Sequence, residues 1–142
     1  MAPEVLDWVE RVAAFCGEAW GLAPITGRIL GWLLVCTPAE QSAGQIADAI
    51  GASRASMTSN MRLLTSIGLV RRRTRPGERT AYYRIEDDAF EKVVRQRLAA
   101  FAAFGAIAEE GLALGGADED RTRRIRSAQR SIALLTDPAQ GR

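Results

Sequence analysis

The sequence predicts a mainly helical chain carrying one small β-hairpin, an α+β arrangement, and three observations lead there. Apolar residues recur at intervals of three and four through most of the 142 positions, which is the period of a helix with one buried face. Two short helical patterns, Ser42 to Ile50 and Ser53 to Ile67, are separated only by a tight turn at Gly51. Immediately after them, alternating positions flank Pro76–Gly77–Glu78, as in two strands joined by a turn.

Glu4 to Trp20 reads as the first helix, with Val5, Val9, Val12 and Cys16 at helical spacing and Gly21 as its stop. Pro24 suits the first turn of a second helix. Its apolar run from Ile25 to Val35 is broken by Thr26, Gly27, Arg28 and Gly31, of which the small ones imply close approach of another backbone; Thr37–Pro38 ends it. Ser42 and Gln45 form a capping-box pattern for a third helix with Ile46, Ala47 and Ile50 inward and Gly51 as terminator. Ser53 caps the fourth, whose inner stripe is Met57, Met61, Leu64 and Ile67, and Gly68 closes it. The strands run from Leu69 to Arg75 and from Arg79 to Glu86. In the second, Ala81, Tyr83 and Ile85 share one face and Thr80, Tyr82 and Arg84 the other. A stripe through Phe90, Val94, Leu98, Phe101, Phe104, Ala108 and Leu112 predicts one helix from Asp88 to about Leu114. After Gly115–Gly116, Asp118 caps a last helix with Ile125, Ala128, Ile132 and Leu135 on one side. Asp137–Pro138 ends it, and a frayed tail is expected.

A helix-turn-helix followed by a hairpin is a winged helix-turn-helix. The expected organisation is N-terminal helices over 1–41, the winged helix-turn-helix over 42–86 and C-terminal helices over 87–142, with both flanking segments serving dimerisation.

Composition narrows the chemistry. The chain has no histidine, so the commonest general base and transition-metal ligand are missing, and no enzyme, metal or cofactor is expected. Of the acidic clusters, Glu109–Glu110 lies within a helical pattern and Asp118–Glu119–Asp120 opens another helix, where acids favour the helix dipole. Cys16 and Cys36 sit among apolar neighbours and read first as buried thiols, with redox sensing as the alternative. No signal-peptide pattern opens the sequence. The run from Ile29 to Cys36 is far shorter than the roughly 20 residues of a membrane span. A soluble cytoplasmic protein without a membrane partner is expected.

Charge is unevenly spread. Between Ser53 and Glu86 eight arginines face two glutamates, so the window carries +6, while the chain carries +2 and the remainder therefore −4. A basic stripe on an otherwise acidic chain implies a polyanion, and a helix-turn-helix makes it double-stranded DNA. With the methionines inward, Ser53, Arg54, Ala55, Ser56, Thr58, Ser59 and Arg62 form the outer surface of the fourth helix, with Asn60 at its margin. Arg54 has the reach to pair bidentately with a guanine, and the small residues let the backbone come close. The hydroxyls fit phosphate contacts equally well. On the wing, Arg71, Arg73 and Arg75 share a face and Arg72 points away from it. Arg79 flanks the tip, and Tyr82 completes the candidate DNA-contacting set.

The stretch SRASMTSNMRLLTSIGLVRRRTRPGERTAYYRI resembles the MarR-type winged-helix repressors. With the upstream GLAPITGRILGWLLVC it looks most like their GbsR-type subgroup, through Gly21–Leu22, Gly27–Arg28–Ile29–Leu30–Gly31, Ser53–Arg54 and Gly68–Leu69–Val70. Ala23 interrupts that subgroup's glycine-leucine-proline order. The likeness covers Gly17 to Ile85. It implies a homodimer reading a pseudo-palindromic operator, repression of transcription, and release by a small-molecule effector or an oxidant. The three long apolar stripes left uncovered by an isolated winged helix agree with a dimer. Trp8, Phe15, Trp20, Trp32, Phe101 and Phe104, with Arg28, form the candidate effector pocket. Aromatic residues at helical spacing are more often core, and Arg28 suits an ion pair within its own chain as well as an anionic ligand. A winged helix used for protein–protein assembly, without specific DNA binding, is the alternative function.

Overall fold

The computed structural model describes residues 2–116 and 118–136. In chain order the elements are α1 (Pro3–Trp20), α2 (Pro24–Val35), β1 (Gln41–Ser42), α3 (Ala43–Ile50), α4 (Arg54–Ser66), β2 (Val70–Thr74), β3 (Ala81–Ile85), α5 (Ala89–Ala102), α6 (Phe104–Leu112) and α7 (Glu119–Thr136). The chain divides into two compact units, Met1–Phe90 and Glu91–Arg142, so the boundary falls within α5. The predicted mostly helical, winged helix-turn-helix layout is the one observed.

In the first unit, α1 and α2 pack through the small residues of α2. A Cβ added at Gly27 would stand 2.8 Å from the Ala13 Cα, and one at Gly31 would stand 3.1 Å from the Val9 carbonyl oxygen. Both are closer than packed carbon and oxygen atoms tolerate, so glycine sets the interhelix distance. Val9, Cys16, Ile29 and Leu30 fill that seam and are all but fully buried. Ile46 from α3, Met57 and Leu64 from α4 and Val70 from β2 continue the same core. Trp20 is buried with its ring edge-on to Phe15 at 5.2 Å and tilted against Phe90 at 5.1 Å.

The sheet has the order β1-β3-β2, antiparallel throughout. β1 was not legible in the sequence: two residues, Gln41 opposite Tyr83 and Ser42 opposite Tyr82, are too few to show a period. Two expected features are corrected. Ile67 is 48% exposed, because α4 ends at Ser66 and Ile67 is its C-terminal cap; Leu69, 3% exposed, takes the inward place. The helix expected to run unbroken from Asp88 is divided at Ala103 into α5 and α6. The run from Ala102 to Ala106 holds only alanine and glycine apart from Phe104, and glycine lowers helix stability by about 1 kcal/mol.

In the second unit, α6 packs on α7, where a Cβ at Gly111 would stand 3.1 Å from Ile125 Cδ1. Asp118 caps α7 as expected, accepting from the backbone N–H groups of Asp120 at 3.0 Å and Arg121 at 3.2 Å. These bonds hold its carboxyl below the usual range. The Arg121 guanidinium donates to the carbonyls of Gly115 and Gly116 in the preceding turn. The expected stop at Asp137–Pro138 and the tail lie outside the described residues.

Candidate nucleic-acid interface

The helix-turn-helix is built from local chemistry. The Ser42 hydroxyl accepts from Gln45 N at 3.1 Å, and the Gln45 carboxamide oxygen accepts from Ser42 N at 2.8 Å, closing the capping box of α3. Gly51 ends α3 with φ 69°, a left-handed conformation suited to glycine. Ser53 then caps α4, accepting from Ser56 N at 3.2 Å. Met57, Met61 and Leu64 are each at most 2% exposed, and that burial fixes which side of α4 faces out.

On the outer side Ser53, Arg54, Ala55, Thr58, Ser59 and Arg62 are exposed, and Ser56 is half-buried. The Thr58 and Ser59 hydroxyls donate back to the carbonyls of Arg54 and Ser56, so they lie flat on the helix and leave it slim. Asn60, expected at the margin of that surface, is half-buried there. Its carboxamide oxygen accepts from the Thr26 hydroxyl at 2.7 Å and its nitrogen donates to the Ser56 carbonyl at 2.8 Å. It ties α4 to α2, because at the margin of the inner stripe a short amide reaches the neighbouring helix before it reaches solvent.

The wing has two unlike faces. Register pairs Arg71 with Arg84 and Arg73 with Tyr82, while the intervening Arg72 lies opposite Tyr83. Alternation therefore sends Arg71, Arg73, Arg84 and Tyr82 to one face and Arg72 and Tyr83 to the other. The first face carries acids. Glu40, 19% exposed, accepts from Arg73 at 2.8 Å and from Arg75 at 3.2 Å. Glu86 accepts from Arg71 at 2.9 Å. The Arg73 hydrogen bond, followed by that of Arg75, holds the Glu40 carboxyl below its ordinary range. The Arg75 guanidinium also lies 3.7 Å over the Tyr82 ring, and a hydrogen bond with Glu78 pushes the Tyr82 hydroxyl above its usual range. Arg73, Arg75 and Tyr82 thus share an internal network around Glu40, and Arg71 makes a separate pair with Glu86. Arg79 is exposed beside the turn that Gly77 makes with φ 79°. Among the described residues, Arg54, Arg62, Arg72, Arg79 and Arg84 have no ion-pair partner.

Glu40 carried no signal in the sequence, since it meets Arg73 only through the pairing of β1 with β3. Arg72 carried one: Val70, buried on the same strand, shares its alternation.

The candidate effector residues are scattered in their surroundings. Trp8 and Phe15 are exposed and line an open recess with Arg11, Val12, Leu34 and Phe90. Trp20 is buried beneath it. Trp32 is half-buried, and its indole nitrogen has no hydrogen-bond partner among the described residues. Arg28 pairs with Glu10 on α1 at 2.6 Å, the intrachain partner of its two readings; that hydrogen bond raises the guanidinium above its usual value. In the second unit Phe101 is 59% exposed and Phe104, the first residue of α6, is half-buried. Among the described residues no group of histidine, cysteine, aspartate or glutamate is placed to hold a metal ion, and no helix is long and apolar enough to cross a membrane.

No family model matches the sequence. The chain is 36% identical over 134 residues to the HTH-type transcriptional regulator MmpR5 of Mycobacterium tuberculosis (strain ATCC 25618 / H37Rv), a match spanning 94% of this chain and 81% of that protein. It is similar in fold to the crystal structure of a transcriptional regulator, with a TM-score of 0.70 and 35% identity, covering 98% of this chain and 97% of that one.

Proposed function

The chain belongs to the MarR-like family of helix-turn-helix transcriptional regulators, DNA-binding proteins and not enzymes, and from that premise we propose that it is a homodimeric repressor released by a small ligand. Two α4 helices, one from each protomer, would enter successive major grooves of a pseudo-palindromic operator about 34 Å apart. The observation that carries this is the outer surface of α4. Two guanidiniums with no ion-pair partner among the described residues stand over alanine and folded-down hydroxyls, a profile that admits both base edges and phosphates.

Residues 42–86 read DNA, and 1–41 and 87–142 assemble the dimer. Support for assembly comes from large apolar side chains left in water, among them Phe101, Ile107 and Leu135 at 59%, 60% and 81% exposure, which monomers rarely expose together. A ligand is favoured over an oxidant because burial raises both thiols, Cys16 and Cys36, and so suppresses the reactive thiolate. The aromatic recess around Trp8 and Phe15 is the place where such an effector would act. The glycine-spaced α2 supports placing the chain nearest the GbsR-type subgroup, and the cytoplasm is where it would meet its operator.

The test is fluorescence anisotropy on genomic fragments with the oligomeric mass measured alongside. A dimer whose affinity falls steeply with salt is expected. A monomer indifferent to DNA at low salt would remove the reading.

A further inference from the structure

A groove runs between α4 and the inner face of the wing. Its floor is Met57, Met61 and Tyr83, and its rim carries Arg62 from α4 and Arg72 from β2. Neither arginine has an ion-pair partner among the described residues. The neighbouring hydroxyls do not serve them: Thr58, Thr65 and Ser66 donate to the α4 carbonyls of Arg54, Met61 and Leu63. The groove therefore offers charged donors and no acid. Two like charges above a partly apolar floor repel each other, and an anion between them relieves that repulsion while gaining charge-assisted hydrogen bonds.

We propose that Arg62 and Arg72 form a seat for a backbone phosphate of the bound duplex, gripping the strand that passes between recognition helix and wing. The inference rests on the DNA-binding reading and deepens it. Arg72 then contributes a full positive charge to binding. Arg73, one residue along and on the opposite face, shares the Glu40 carboxylate with Arg75 and contributes less, because a phosphate must first displace or sit beside that acid. A phosphate contact is indifferent to base sequence, so this seat governs affinity and register rather than operator choice.

The experiment compares full-length wild type, R72A, R72K and R73A by anisotropy on one operator-containing duplex and one random duplex across a salt series. R72A is expected to weaken both duplexes by roughly tenfold and to lower the salt slope by about one per protomer. R72K keeps most of the affinity, and R73A stays within about twofold of wild type. Unchanged thermal melting of R72A assigns the loss to DNA contact rather than to folding. Equal losses in R72A and R73A, or a loss confined to R73A, overturn the proposal. If wild type itself shows no salt-dependent binding, the DNA-binding reading falls first and takes the proposal with it, an outcome told apart because no variant is then needed to see it.

Discussion

On α4, Arg54 and Arg62 have no ion-pair partner among the described residues, whereas on the outer face of the wing Arg71, Arg73 and Arg75 are held by Glu86 and Glu40. Both regions belong to one basic window of the sequence, and both contain exposed arginines. The difference is in what the charge is free to do. Each wing pair is exposed on the arginine side, so solvent screens it and it adds little to stability. Its larger effect is on the field: a carboxylate beside each guanidinium cancels much of the potential that a phosphate would meet. Counting cations therefore overstates the reach of the outer face and understates that of α4.

The largest expected effect comes from α4. R54A should weaken operator binding by about 1–3 kcal/mol and relax discrimination between operator and random DNA, measured as the ratio of the two Kd values. An unchanged ratio would demote Arg54 to a phosphate contact and blur the contrast between helix and wing. A smaller change is expected at Asn60. N60A should lower folding stability by about 1 kcal/mol through the lost Thr26 bond, read by urea unfolding, with the ratio of Kd values unaltered. A changed ratio would return Asn60 to the reading surface.

The smallest effect, and the most direct on the wing, concerns Glu40. E40Q should tighten binding to any duplex roughly two- to fivefold and steepen its salt dependence, because Arg73 and Arg75 lose their shared acid. Asp87, exposed at the same recess, has no ion-pair partner among the described residues, so D87N should do less. The Glu40 carboxyl itself titrates below the ordinary range. Because its folded value is depressed relative to the unfolded one, the stability it lends is present above the unfolded value and lost as pH falls through the folded one. Carbon-detected NMR should find it back in the ordinary range in an R73A/R75A variant.

The legible parts were those governed by neighbours along the chain. Gly51 and Ser53 announce the turn into α4, Ser42 and Gln45 announce the cap of α3, and Asp118 announces α7, because a cap needs only an oxygen three residues from an N–H. Ile67 misled for the same local reason: the stripe that predicted its burial stops counting once the helix ends. The bond between Asn60 and Thr26 was not legible, because a helical wheel has no knowledge of the helix beside it.

By itself the amino-acid order determined the helical and hairpin segments, the winged helix-turn-helix and the inward methionines of α4, but not β1 or the break between α5 and α6, since propensity, capping and period act within a few residues. Only the folded chain decided which arginines are free. Glu40 reaches Arg73 and Arg75 across 33 and 35 positions, through the pairing of a two-residue strand, and Coulomb energy depends on distance in space rather than along the chain.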